Sequence, residues 1–299
     1  MQQAADLQLI SFLRQTNPET AKVNPVALEE YSCKRGDVKF YLLLSRQHRN
    51  MRVLDYRIGN YQLKRAAFDH LAKEKGLRKI FTLVEKQDSN SWRTVGFSRE
   101  SVVPAYFRTA DAYVMSRVYD ESGEPLTGGL SKVAVAHEVP EPRRARKPKG
   151  LKLTLTTDHD RLAKLVAKTH QTPFYTPFGK GVTCPDVGVQ ASVDRKRFWI
   201  VAEINDSFGH AKIDLLSPLE LRRDVYACVF ALGRLFEYLA DQDVAGAFTF
   251  VSVEDELANE VFATADFRHT GQLTRHVVLD DGEPRDLHTW HYRLRPRNM

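Results

Sequence analysis

The sequence contains little cysteine and no long apolar run. Its 299 residues include three cysteines, Cys33, Cys184 and Cys228, at wide spacings and without a Cys-x-x-Cys pair. This pattern argues against a disulfide framework and a zinc site, and indicates free thiols in a reducing compartment. No stretch of about eighteen apolar residues is free of charges. Residues 1–15 carry Asp6 and no small-residue cleavage site. We therefore expect a cytoplasmic protein without membrane contact or a bound metal.

The composition is that of a globular protein, with 42% hydrophobic residues and charges of both signs. At roughly 150 residues per domain, the length predicts two domains. The 44 Lys and Arg exceed the 38 Asp and Glu by a formal charge of +6, and six basic residues stand among three prolines in residues 138–152. This tract predicts an extended linker over 137–150, between domains at 1–136 and 151–299.

The basic linker has two interpretations. It could be a solvated connection, or it could bind nucleic acid or another acidic partner. The tract has no aromatic residues on which bases could stack, and this makes nucleic acid the weaker alternative.

Strands and helices alternate on both sides of the linker. In the first half, strands are predicted at 38–45, 51–58, 79–86 and 111–119, an extended segment at 102–107, and helices at 61–76 and 90–97, with Gly76 as a helix C-cap. In the second half, strands are predicted at 151–157, 198–204, 210–216 and 245–253, and helices at 161–170, 221–242 and 255–267, followed by a hairpin around 280–282. The similar order of the two halves indicates a weak internal repeat and an α/β fold.

Particular residues in this order carry a resemblance to a known family. The stretch 79–120 contains Trp92, Gly96-Phe97 and a Pro-x-Tyr-Phe motif, and the second half contains "AKIDLLSPLELRRDV", "FTFVSVEDELANEVFATADF" and the closing "RDLHTWHYRL". The chain resembles the GNAT superfamily of N-acetyltransferases, and within it the bacterial and archaeal β-lysine acetyltransferase group. The resemblance implies two tandem GNAT-like domains, each with a mixed, mostly antiparallel sheet flanked by helices. It also implies acetyl transfer from acetyl-CoA to a small primary amine such as lysine or β-lysine.

The resemblance further implies that backbone N–H groups hold the acetyl-CoA pyrophosphate where the helix at 221–242 begins. The two family glycines are replaced by Arg223 and Val225 in this loop. Arg222 and Arg223 could bind phosphate through their side chains. Alternatively, the charge of Asp224 and the bulk of Val225 disable the site, and Asp224 then serves only the helix dipole. The resemblance adds Asn259, on the next helix, to the cofactor-binding candidates.

The catalytic candidates are Glu203, Glu220 and His210, because an acetyltransferase of this type needs a base for the amine proton. Glu203 and His210 could equally be structural strand residues. The group tends to have an acidic residue early in its fourth strand, where this chain has Lys212. The family tyrosine is absent after Asn259, and Asp266 replaces the glycine of the first half's Gly96-Phe97 pair.

The loop at 172–181, with Phe174, Tyr175 and Phe178, lies where the family places its substrate loop. The wide apolar stripe of the helix at 221–242 leaves room for a protein partner or a second copy of the chain. Two functions therefore stay open. One is an N-acetyltransferase. The other is a catalytically inactive pseudo-acetyltransferase that serves as an interaction or scaffold module.

Overall fold

The computed structural model describes residues 14–15, 29–35, 38–54, 61–126, 137–168, 185–278 and 281–294. The chain forms two compact units. The first comprises Met1–Ser101, Ala112–Val135 and Leu273–Asp286, and the second comprises Val102–Asp111, Ala136–Gln272 and Leu287–Met299. Each unit thus includes a segment from the other half of the sequence. The predicted domain boundaries at the linker stay a prediction.

The first unit is built on a mixed sheet. Its elements are β1 (Arg14–Gln15), β2 (Glu29–Arg35), β3 (Val38–Ser45), β4 (Asn50–Val53), α1 (Tyr61–Lys75), β5 (Lys79–Glu85), α2 (Ser89–Thr94), β6 (Ser98–Val103) and β7 (Ala112–Val118). The strands lie in the order β1-β2-β3-β4-β5-β7-β6. β4 and β5 are parallel, whereas β2 with β3, β3 with β4 and β5 with β7 are antiparallel.

The second unit repeats this arrangement. Its elements are β8 (Lys152–Thr156), α3 (His159–Lys168), β9 (Val187–Val193), β10 (Lys196–Asn205), β11 (His210–Leu215), α4 (Arg222–Asp241), β12 (Gly246–Ser252), α5 (Glu256–Thr264), and the outer parts of β13 (Arg268–Val278) and β14 (Pro284–Arg293). Residues 273–278 of β13 and 284–286 of β14 belong to the first unit. The strand order is β8-β9-β10-β11-β12-β14-β13. Here β11 and β12 are the parallel pair. The predicted fold class, an α/β chain with mixed, mostly antiparallel sheets flanked by helices, is confirmed.

The repeat extends to how the helices end. After α2, the N–H of Gly96 donates to Arg93 O and that of Phe97 to Trp92 O; after α5, the N–H of Asp266 donates to Ala263 O and that of Phe267 to Phe262 O. Gly96 has φ +97° and Asp266 has φ +62°. Both helices therefore finish in a left-handed Schellman turn, and the second unit keeps this turn without a glycine. Gly76 terminates α1 with φ +62°, as predicted.

The core of the second unit lies between its sheet and the two helices α4 and α5. Val225, Cys228, Leu232 and Leu235 of α4 are fully buried there. Burial raises the pKa of the Cys228 thiol, and this agrees with a structural cysteine rather than a reactive one. In the described part of the chain, no helix has both the length and the apolar character needed to span a membrane.

A buried polar network occupies the first unit. Lys79, at the start of β5, is fully buried, and its Nζ lies 2.5 Å from Glu100 Oε2 and donates to Thr274 O at 2.7 Å. Asn50 Nδ2 donates to His276 O at 2.6 Å. These side chains bind backbone carbonyls of residues 273–278, so the late segment of the sequence is held in this unit by polar groups that need partners.

Three local predictions differ from the structure. Strand β2 was not predicted, although it pairs with β3. Strand β9 was not predicted either, although it pairs with both β8 and β10. The segment 102–107 was predicted to be extended, but β6 ends at Val103 and a turn follows, with φ +52° at Ala105. This turn places the side chain of Tyr106 against His210 within the second unit.

Candidate functional site

The candidate site lies where the sheet of the second unit opens. β11 and β12 pair in parallel only from His210 to Lys212, opposite Gly246 to Phe248, although β11 continues to Leu215. The strands therefore separate toward the carboxyl end of β11. The chain then turns at Ser217 and Pro218 and enters α4 at Arg222, with Leu221 as the N-cap residue.

Asp224 closes the N-terminal end of α4. Its Oδ2 accepts hydrogen bonds from the N–H groups of Glu220 at 3.1 Å and Leu221 at 3.0 Å, and the residue is only 2% exposed. The first N–H groups of a helix lack intrahelical partners and favour a negative charge. Asp224, at the third helical position, accepts from the N–H of the N-cap residue, as the third residue of a capping box does. Its charge lies in the first turn of α4, where the helix dipole favours a negative charge.

Lys196, at the start of β10, holds the carboxylate of Asp224 in place. Its Nζ lies 2.7 Å from Glu220 Oε2 and 3.3 Å from Asp224 Oδ2. These hydrogen bonds, first to Glu220 and then to Asp224, raise the pKa of Lys196. The catalytic candidate Glu220 is exposed and takes part in this ion pair, whose ammonium group also neutralises the helix cap.

The two arginines that could have bound phosphate are paired with acids. Arg223 forms an ion pair with Asp194. Arg222 Nε lies 3.9 Å from Glu260 Oε1, and Arg143 of the linker reaches the same oxygen at 3.4 Å. The structure thus brings Arg143, Arg222 and Glu260 together, a grouping the sequence alone did not predict. Lys196, Asp194 and Glu260 were missed because they are scattered along the chain.

Val225 belongs to the apolar face of α4. Its side chain is fully buried in the core of the second unit, where it faces the sheet as an ordinary apolar position of α4. Its side chain therefore fills space in the core and does not cover the N-terminal end of α4.

Asn259 of α5 is fully engaged within the protein. Its Nδ2 donates to Ser252 O at 2.7 Å and to Asp255 O at 2.8 Å. Its Oδ1 accepts from Trp290 Nε1 at 2.9 Å and lies 3.1 Å from His288 Nδ1. Two donors and two acceptor positions are all that an amide side chain has. In this geometry Asn259 joins α5 to β12 and β14, and its amide group makes all of these bonds within the protein.

Glu203 stands apart from the helix cap. It lies on β10 opposite Lys212 of β11, on the sheet face away from α4. Its Oε2 is buried and has no hydrogen-bond partner among the described residues. Burial raises the pKa of Glu203 to about 7; Lys212 opposes this rise, and the charges of Asp214 and Asp186 add to it. Lys212 itself donates to Asp214 Oδ2 at 2.7 Å.

His210 is packed among aromatic rings. Its Nδ1 lies 2.8 Å from Tyr106 O, and its ring stacks on Tyr106 with centroids 4.3 Å apart. Phe208 and Phe248 contact the same ring. This environment is that of a buried structural histidine, the alternative that the sequence left open.

The substrate-loop residues Phe174, Tyr175 and Phe178 lie outside the described residues. Within the described ranges, no three His, Cys, Asp or Glu side chains form a group that could hold a metal ion. The catalytic and cofactor-binding roles of the predicted site residues stay predictions.

An internal carboxylate lies where α4 begins. Asp224 occupies the N–H groups of Glu220 and Leu221, the two residues just before the helix, and a phosphate at these two donors would meet a buried negative charge. The nearby cations Lys196, Arg222 and Arg223 are each within ion-pair distance of an acid.

Neither a protein-family model nor a curated protein matches the chain. Among solved structures, it is similar to the ribosomal-protein-S18-alanine N-acetyltransferase of Escherichia coli, with 12% identity over 50% of this chain and 99% of the other, at a TM-score of 0.35. It is also similar to yncA of Salmonella typhimurium, solved with acetyl-CoA, with 10% identity, 50% and 98% coverage and a TM-score of 0.37. Mutant forms of the spermidine/spermine N-acetyltransferase SpeG of Vibrio cholerae give 13% identity, 48% and 94% coverage and a TM-score of 0.36. Similarities at this level do not assign an activity to the chain.

Proposed function

We propose that the second unit is a pseudo-acetyltransferase that does not bind acetyl-CoA, and that the chain serves as a protein-interaction module. The observation that carries the proposal is the Asp224 carboxylate. It is buried and accepts hydrogen bonds from the N–H groups of Glu220 and Leu221. An intramolecular carboxylate has a high effective concentration, so an external anion would have to displace it together with its bond to Lys196.

The surrounding charges support the same proposal. Arg223 is paired with Asp194, and Arg222 shares Glu260 with Arg143. A bound pyrophosphate would gain these cations only by taking them from their carboxylates. Asn259 is likewise satisfied by internal bonds.

Isothermal titration calorimetry with acetyl-CoA tests this proposal. We expect no heat of binding with the wild-type protein. Asp224→Gly removes the internal carboxylate and frees the backbone donors, so this variant should bind acetyl-CoA measurably. Asp241→Gly makes the same change at the other end of α4 and should give no heat of binding. Circular dichroism of each variant shows whether the fold is kept.

A second candidate is an N-acetyltransferase acting on a small amine, and Glu203 is the observation that favours it. A carboxyl group with a pKa of about 7 is matched to proton transfer near neutral pH. Micromolar binding of acetyl-CoA by the wild type, lost in Arg222→Ala with Arg223→Ala, would support this candidate and refute the first. Release of free thiol with lysine or β-lysine, abolished in Glu203→Gln, would establish the activity.

A further inference from the structure

An exposed basic surface joins the linker to the N-terminal end of α4. Arg143 and Arg222 approach the same oxygen of Glu260, at 3.4 and 3.9 Å. The N–H of Arg143 also lies 3.4 Å from Thr264 Oγ1. The linker is therefore fixed against α5 at Arg143, and its other basic residues follow directly along the chain.

The linker turns its cationic side chains outward. Ala145 is half-buried and Pro148 is buried, whereas Arg144, Arg146, Lys147 and Lys149 are exposed. Among the described residues, none of these four has an acidic partner within ion-pair distance. Within the described ranges, four exposed cations that follow Arg143 along the linker therefore lack a compensating carboxylate.

The same surface carries exposed apolar side chains. In the described part of the chain, the large hydrophobic residues that are exposed are Val139, at 37%, and Leu221, at 57%. Val139 precedes Arg143 on the linker, and Leu221 directly precedes Arg222. Isolated exposed leucines are common, but here each exposed residue lies within four positions of an arginine that approaches Glu260. We define this linker–α4 surface as Val139, Arg143, Arg144, Arg146, Leu221 and Arg222.

Its chemistry distinguishes between classes of partner. A nucleic acid backbone would pair with the cations, but its phosphates would make no apolar contact with Val139 and Leu221. The linker also has no aromatic ring on which a base could stack. Protein interfaces combine an apolar centre with charged groups at the rim. We propose that the linker–α4 surface binds an acidic segment of a partner protein that carries aliphatic side chains. This inference rests on the proposed function, for which it names the class of partner.

Fluorescence anisotropy with the full-length chain and two labelled peptides tests the inference. One peptide has the sequence Glu-Asp-Leu-Glu-Glu-Leu-Asp-Glu, and the other has serine in place of both leucines. We expect the leucine peptide to bind more tightly. The double variant Arg144→Glu with Arg146→Glu should weaken both peptides about tenfold or more, and Leu221→Ser should weaken only the leucine peptide. Arg234→Glu, a charge reversal at an exposed position farther along α4, is the matched control and should bind like the wild type.

Three results would overturn the inference: no binding of either peptide, equal binding by all variants, or tighter binding of a DNA or RNA duplex than of the leucine peptide. None of them bears on whether the wild type binds acetyl-CoA, and binding of acetyl-CoA is the result that would refute the pseudo-acetyltransferase. The two failures are therefore distinguishable.

Discussion

Asp224 and Glu203, two carboxylates of the second unit, have different environments. Asp224 has two backbone donors and Lys196, so its charge is compensated in place. Glu203 has an oxygen without a partner among the described residues, and burial raises its pKa to about 7. A carboxyl group with a raised pKa binds more protons in the folded state than in the unfolded chain between these two pKa values. Its contribution therefore becomes less favourable as pH rises from 4.5 to about 7.

Replacing this carboxyl group should show the effect directly. Glu203→Gln cannot ionise, so we expect its free energy of unfolding to exceed that of the wild type by about 3 kcal/mol at pH 8. At pH 4.5 the difference should nearly vanish, because the wild-type carboxyl is then protonated in the folded state. Urea denaturation at the two pH values measures both quantities. Glu283→Gln, at an exposed position in the turn before β14, should show no such pH dependence, and an equal gain there would contradict the explanation.

At the same scale, the sequence predicted the chemistry of single residues better than their partners. The role of Asp224 at the helix dipole followed from its place in the first turn of a predicted helix. The apolar spacing of α4 assigned Val225 to a stripe, but the resemblance also assigned it to a ligand loop, and the core position is the one observed. Arg143 and Glu260 lie far apart in sequence, and no local pattern indicates that both meet Arg222.

Among the elements, the ends of α2 and α5 show how one turn is built from two different residues. Gly96 has φ +97° and Asp266 has φ +62° at equivalent positions. A left-handed conformation is free of strain for glycine but not for aspartate. The sequence identified the replacement of glycine by Asp266 but did not indicate whether the turn would survive it. The structure shows that it does, with the same hydrogen bonds.

This conservation of the turn predicts a stabilising substitution. Asp266→Gly should raise the free energy of unfolding by about 0.5–1 kcal/mol, since it removes backbone strain at an exposed position. Glu237→Gly places a glycine at an exposed position inside α4 and should lower the free energy of unfolding by about 1 kcal/mol. Thermal melts followed by circular dichroism compare the two variants. Destabilisation of similar size in both would show that Asp266 makes a contact that outweighs its strain.

Element prediction succeeded where periodicity was strong and failed beside irregular segments. β3 begins and ends where predicted, and α1 differs by one residue at its end. β9 has alternating apolar residues, Val187, Val189, Ala191 and Val193, which is a strand signal. It follows directly on a stretch rich in Pro and Gly, and that stretch masked it. Its pairing with β8 and β10 stabilises the strand, and this pairing cannot be predicted from its short local pattern.

At the scale of the whole molecule, the composition of the units departs from a simple division of the sequence. The linker composition predicted a boundary near residue 137, but residues 273–286 belong to the compact unit that contains the N-terminal half. No sequence pattern indicates this exchange, because a hairpin at 268–293 looks the same whichever unit it completes. The buried groups of the first unit show what the late segment contributes. Lys79 and Asn50 donate to Thr274 O and His276 O.

The dependence of the first unit on this segment leads to a prediction about fragments. A fragment of residues 1–136 lacks the carbonyls that satisfy Lys79 and Asn50, and its fully buried Lys79 ammonium would lose a hydrogen bond while staying close to Glu100. An unsatisfied buried polar group costs about 1–3 kcal/mol, and more when charged. Because stabilities are typically about 5–15 kcal/mol, we expect the fragment to melt at a much lower temperature than the full chain, or without a cooperative transition. Adding a synthetic peptide of residues 268–294 should restore the transition. Cooperative melting of the fragment alone, at the temperature of the full chain, would instead support an independent domain that ends at the linker.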